Sequence, residues 1–249
     1  MPVLGTLDIR KWAEGGIAVY AGKDDESWVL KNTELLSLSI EIQPQARTLL
    51  PPGMHPSIPL CMVFSIARYP DTPVGPFTLA QGMIVGRIGV HPRGFALKSL
   101  VDSETARREL AARWGFPVSP GEAKIWTQYD RVRAEVRADG EVALACELLD
   151  RGPIEGSDIE SLASANLAYS RAEDKLVLIQ VEPQYEYHKA ERGRPRLLSF
   201  DQAVWRTAGQ VHFAQGIAAT YAVSDMTLPP PRYIIDPERP SSQMPQPAA

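Results

Sequence analysis

The chain has 249 residues, 44% of them hydrophobic and 22% charged, and a formal net charge of −4. That composition suits a globular protein with a sizeable core, gives no basic footprint for nucleic acid, and contains nothing near the ~18 uninterrupted apolar residues of a membrane span. The start, MPVLGTLDIRKW, lacks an apolar stretch behind a basic end, so no secretory signal is expected. Two cysteines, Cys61 and Cys146, cannot build a disulfide framework and read as reduced, buried thiols of a cytoplasmic protein.

In chain order, Leu36, Leu38, Ile40 and Ile42 alternate with Ser37, Ser39 and Glu41, the period of a half-buried strand. Residues 60–69 are a mostly apolar run. Residues 77–90 are another, broken by Gly82, Gly86 and Gly89, a density that suggests bulges or bends in a curved sheet. Asp102 or Ser103 can cap a helix through Glu104, Ala106, Leu110 and Trp114, which Gly115 ends and Pro117 forbids from continuing. Residues 124–138 read as one strand in which Ile125, Tyr129, Val132 and Val136 interleave with charged residues. Asp139-Gly140 then supplies a two-residue hairpin turn and 141–149 the return. Residues 175–181 and 211–222 read as strands, 200–207 as a short helix, and Arg192, Arg194 and Arg196 as a solvated loop. Pro229-Pro230-Pro231 suggests an extended strap, and 241–249 a disordered proline-rich tail. Many strands, few helices and no β-α-β alternation predict a mainly β (α+β) fold, with a curved or closed antiparallel sheet in a single domain over residues 1–240. Such a barrel can enclose a small apolar ligand.

The histidines, His55, His91, His188 and His212, lie more than four residues apart, and no Cys-x-x-Cys exists, so no metal is expected. Neither a glycine-rich phosphate loop nor a GxSxG elbow occurs, and no cofactor is expected.

Leu49-Leu50-Pro51-Pro52-Gly53-Met54 precedes an apolar strand. Gly75-Pro76-Phe77-Thr78-Leu79 follows it, and then Arg108-Glu109-Leu110 leads into Trp114-Gly115-Phe116-Pro117. In order and spacing, together with the proline-bearing segment 217–235, these motifs resemble the acetoacetate decarboxylase family over about residues 28–237. The resemblance implies a cone-like antiparallel β-barrel, a homo-oligomer, and a small carbonyl substrate held as a lysine imine. The lysine's pKa must then be lowered by a neighbouring cation, for which acetoacetate decarboxylase is itself the standard example. In the family two lysines directly follow the Gly-Phe-Pro turn; here Val118 and Ser119 stand there, and neither can form an imine. Leu79 stands where the family has a glutamate, and the expected arginine falls around Lys31-Asn32-Thr33.

The scaffold is thus expected without its covalent catalyst. Non-covalent cyclisation, isomerisation or dehydration of an apolar carbonyl compound, in secondary metabolism, fits that change. On the family alignment Phe77, Leu79, Trp114, Phe116 and Val118 line the pocket. Gln81 points the same way as Leu79 two residues on. Ser119 is either a hydrogen-bond donor to a substrate carbonyl or a turn serine before Pro120. Lys124 is either a displaced imine former or a solvated strand lysine, which leaves a lysine-dependent lyase as an alternative. A non-catalytic small-molecule binding protein is the third reading. No nucleic-acid or membrane partner is expected.

Overall fold

A computed structural model describes residues 4–22 and 26–239; the expected tail at 241–249 lies outside them. The first half of the chain contributes helix α1 (Ile9–Glu14) and strands β1 (Ala18–Tyr20), β2 (Trp28–Ile42), β3 (His55–Pro56), β4 (Cys61–Tyr69), β5 (Phe77–Ile88) and β6 (His91–Val101), then helix α2 (Glu104–Trp114). The second half contributes β7 (Val118–Pro120), β8 (Glu122–Thr127), β9 (Arg131–Ala138), β10 (Glu141–Pro153), β11 (Ser164–Ser170), β12 (Lys175–Val181), β13 (Gln184–Phe200), β14 (Phe213–Leu228) and β15 (Tyr233–Ile235). All fifteen strands join one sheet, whose main path runs β15-β12-β11-β6-β5-β4-β2-β14-β13-β10-β9-β8. The fold is mainly β with few helices, as expected. The sheet is mixed, with parallel pairs β1–β11, β6–β11 and β6–β7, and among the described residues hydrogen bonds do not close it into a barrel. No helix among the described residues is long and apolar enough to cross a membrane.

Both faces of the central strands are buried. One face carries the main core, with Leu36, Leu38, Phe64, Phe95 and Trp205. The other packs Leu30, Leu79, Val101, Leu110 and Trp114 beneath α2. A strand covered on both sides leaves little room where a third layer approaches, and this explains Gly82: a Cβ there would stand 2.7 Å from the Trp205 ring and 3.2 Å from Met62. Trp205 is fully buried and donates its indole N–H to the Ala143 carbonyl at 2.9 Å. Gly82→Ala is expected to destabilise by about 1–3 kcal/mol, the usual cost of overpacking, as measured by chemical denaturation.

A bulge in β2 sorts that strand between the two faces. Lys31 and Asn32 lie opposite the single residue Asp225 of β14, between the pairs Thr33↔Ser224 and Leu30↔Met226. Asn32 has φ 52, a conformation that asparagine tolerates better than most side chains. The Asp225 carboxylate accepts from the Lys31 ammonium at 2.6 Å and the Asn32 N–H at 2.9 Å, and lies 3.4 Å from His188 Nε2. Those bonds, Lys31 first, hold its carboxyl down to about 2. A depressed carboxyl stabilises the fold above the unfolded pKa of about 3.9, and that contribution is lost as pH falls toward about 2. The gap in melting temperature between the wild type and Asp225→Ala should therefore be constant from pH 7 to 5 and shrink from pH 4 to 2. A gap that stays constant to pH 2 would show that the carboxylate does not hold the bulge.

Several local expectations hold in detail. Ser103 caps α2, accepting from the Ala106 N–H at 3.3 Å, and Gly115 ends it at φ 65. Asp139-Gly140 turns the β9–β10 hairpin with φ 50 and 83. The strap at Pro229 is held by the Trp114 indole, which donates to its carbonyl at 2.7 Å. Others are corrected. Residues 124–138 are two strands, because Gln128–Arg131 closes a turn (N–H to carbonyl, 2.8 Å) and puts Tyr129 98% in solvent. The helix expected at 200–207 is instead the end of β13 at Phe200 followed by consecutive turns over 202–206, with Arg206 (φ 56) and Ala208 (φ 49) left-handed. Arg192, Arg194 and Arg196 form the exposed face of β13, not a loop.

Candidate active site

A cavity of about 50 Å³ lies beneath α2 on the face opposite the main core. Its floor is sheet: Phe77, Leu79, Gln81 and Met83 of β5, Ser65 and Tyr69 of β4, Leu30 of β2, and Met226 and Leu228 of β14. The period-two alternation of β5 points its four residues the same way. Leu110 of α2 and Phe116 just beyond it form the roof, while Leu162, Ser164, Val181, Pro183 and Tyr185 close the far side. Asp102 ties floor to roof, accepting from the Thr78 N–H at 2.8 Å and its hydroxyl at 2.9 Å immediately before α2.

No charged side chain lines this cavity among the described residues. Its polar groups are neutral: the Gln81 amide, the Tyr69 and Tyr185 phenols, and the Ser65 and Ser164 hydroxyls. Gln81 Nε2 donates to Ser99 Oγ at 3.3 Å, which fixes the amide and leaves its carbonyl oxygen without a protein donor among the described residues. Neither phenol makes a hydrogen bond among the described residues. The Tyr69 ring packs on Phe77 with centroids 4.8 Å apart, and Tyr185 stacks on Tyr187 at 5.4 Å. Burial raises both phenol pKa values, that of Tyr185 further through the nearby Tyr69 and Tyr187. Both therefore remain O–H donors at neutral pH.

The expected site residues separate into four places. Phe77, Leu79, Gln81 and Phe116 meet on this cavity. Trp114 lies behind it, fully buried, with Trp28 edge-on at 5.0 Å and the Arg113 guanidinium over its ring. Val118 packs at the edge of the same apolar cluster as Leu79. Ser119, the next residue along β7, pairs with Leu100, a main-core residue, and opens onto a different cavity together with Val118. The segment read as a turn is a strand, and one step along a strand reverses the side chain. Lys124 is exposed on β8, in an open groove with Glu34, Arg68 and Tyr221. Glu122 is also exposed, and Arg108 lies on the outer face of α2 beside Glu109 at 3.6 Å. The tyrosines were missed. Tyr69 continues the two-residue period of Ser65 and Ala67, a signal available in the sequence, whereas Tyr185 lies in a stretch with no apolar periodicity.

This architecture is the acetoacetate decarboxylase fold. The acetoacetate decarboxylase of Legionella pneumophila subsp. pneumophila str. Philadelphia 1 superposes with a TM-score of 0.73 at 16% identity, over 86% of this chain and 89% of that one. The enduracididine biosynthesis enzyme MppR, solved with pyruvate, gives 0.69 at 15% identity, over 87% and 93%. An acetoacetate decarboxylase-like enzyme of Sphingomonas wittichii RW1 gives 0.64 at 12% identity, over 84% and 93%. No protein-family model and no curated protein matches the sequence.

Neither phenol hydroxyl has a protein hydrogen bond to lose among the described residues, so removing it is nearly free. Tyr69→Phe and Tyr185→Phe are each expected to melt at or slightly above the wild-type temperature while weakening binding of a small ketone about tenfold, as read by calorimetry. A drop in melting temperature would mean that the hydroxyls serve the fold.

Proposed function

We propose that this protein is an acetoacetate-decarboxylase-like enzyme that acts without a Schiff-base lysine on a small, mostly apolar carbonyl compound. The observation that carries this reading is the cavity lining: apolar walls, no amine, and five neutral hydrogen-bonding groups. A phenol O–H donates to the substrate carbonyl oxygen and stabilises the negative charge that builds there in the transition state. The Gln81 amide oxygen accepts a hydrogen bond from a substrate hydroxyl and so fixes its orientation. Lacking a carboxylate or imidazole, the cavity supplies no strong base. It therefore suits reactions in which the substrate brings its own nucleophile or leaving group, such as intramolecular cyclisation or dehydration. Shape and exclusion of water supply the rest. About 50 Å³ holds only a few water-sized groups, so the enclosed part of the substrate is its carbonyl end. The neighbouring fold of a biosynthetic enzyme supports a place in secondary metabolism, and the two free, buried cysteines support a reducing, cytoplasmic setting. The homo-oligomer expected from the family resemblance belongs to the same proposal.

A panel of small ketones and hydroxyketones, each paired with its carboxylate counterpart, tests the reading by thermal shift and then by NMR detection of product. Ketones are expected to stabilise the protein through this cavity, so Leu79→Trp, which fills it, should abolish their effect while leaving any effect of the carboxylates unchanged. Because both phenols stay protonated, turnover should be flat from pH 6 to 9. Borohydride with ketone should add no mass to any lysine. A stoichiometric adduct on Lys124 would replace this reading with lysine-dependent chemistry, and ketone binding with no product across the panel would replace it with a binding protein.

A further inference from the structure

Beside β6 and β7 lies a second cavity of about 300 Å³, lined in part by Lys98, Val118, Ser119, Arg206, Gly16 and Ala111. Its construction starts from a bulge. Gly82 pairs with Lys98 but Met83 with Ala96, so Leu97 is an extra residue on β6. Bulges re-aim the side chains beside them. Ser99 contacts Gln81 at the first cavity, whereas Lys98 lies half-buried on the side of Leu97 and Leu100.

Arg206 enters the same space from the left-handed turn after Trp205. Its guanidinium donates to the Gly16 carbonyl at 3.0 Å and to the Trp12 carbonyl, and sits 3.9 Å from the centroid of the Trp12 ring. The arginine is therefore held toward this cavity by the carbonyls of Trp12 and Gly16.

No carboxylate lines this cavity among the described residues. Lys98 has neither an ion pair nor a hydrogen bond among them, and Arg206 bonds only backbone carbonyls there. Burial lowers the Lys98 pKa and the Arg206 charge lowers it further, with Asp139 opposing. Two partly desolvated cations facing one another without a counter-ion are costly, and a bound anion removes that cost.

We infer that Lys98, Arg206 and Ser119 form an anion site for the carboxylate or phosphate group of a small metabolite, separate from the ketone cavity. The ammonium supplies a point charge, the fixed guanidinium a second, and the Ser119 hydroxyl a hydrogen-bond donor. The inference does not rest on the enzymatic reading, because none of these three residues touches the first cavity.

Calorimetric titration of the full chain with inorganic phosphate and with acetate, at constant ionic strength, tests it. Saturable binding of at least one is expected, with Kd raised tenfold or more in Lys98→Met, which keeps the aliphatic stem. Ser119→Ala, a change outside the core, should weaken binding several-fold and serves if the methionine variant fails to fold. Bound anion should also raise the apparent pKa of Lys98 and slow its acetylation by acetic anhydride. Tighter phosphate identifies a phosphorylated ligand, and tighter acetate a carboxylic acid. Absence of saturable binding, or equal affinity in both variants, overturns the inference.

Discussion

Lys31 and Asn32 together face one residue, Asp225, across the β2–β14 ladder, and the separation of the cavity from the main core depends on that two-against-one pairing. Alternation along an unbroken strand would put Leu30 on the face of Leu36, Leu38 and Ile40. The extra residue shifts the phase, so Leu30 joins the cavity floor while the other three enter the main core. β14 carries no such insertion there, and its Met226 and Leu228 reach the cavity by simple alternation from Ser224. Asp225 therefore does more than pair with a surface lysine. It satisfies the N–H of a left-handed residue and holds the register of the strand at the centre of the sheet.

A second phase shift does the same for β6. The bulge at Leu97 sends Ser99 toward Gln81 and leaves Lys98 on the other face of β6, beside the second cavity that Val118 and Ser119 of β7 both line. Two neighbouring cavities of opposite character result. One is neutral and apolar with unpartnered hydroxyls; the other holds two cations. Their separation has an energetic logic. A lysine facing the small apolar cavity would be stripped of water with no carboxylate to pair with, at a cost of several kcal/mol. On the other face of β6 the same charge retains partial solvent and can meet an anion.

What the sequence made legible follows from the range of the interaction. Local rules worked: the Ser103 cap, the Gly115 stop, the Asp139-Gly140 turn, the alternation from Leu36 to Ile42, and the shared face of Phe77, Leu79 and Gln81. The order of short motifs pointed to the right fold at an identity too low for a sequence match. Long-range effects were not legible. β13 is rich in charge and proline, yet it is a strand because β10 and β14 pair with it on both sides. Its Tyr185 therefore went unnoticed as a cavity residue. Val118 and Ser119 were assigned to the first cavity because their segment was read as a turn; pairing with β6 makes it a strand, and both residues line the second cavity instead.

The composition of the cavity also limits what can enter. A pyruvate-like substrate carries a carboxylate, and burying it here would leave that charge without a cation among the lining residues. A neutral ketone loses only one or two hydrogen bonds to water on entry, and the Tyr69 or Tyr185 hydroxyl can return one of them. On the proposed reading, desolvation thus favours neutral over acidic carbonyl compounds. Leu79 is central to it, since it lies on the floor beside Gln81 and both phenols face the same space.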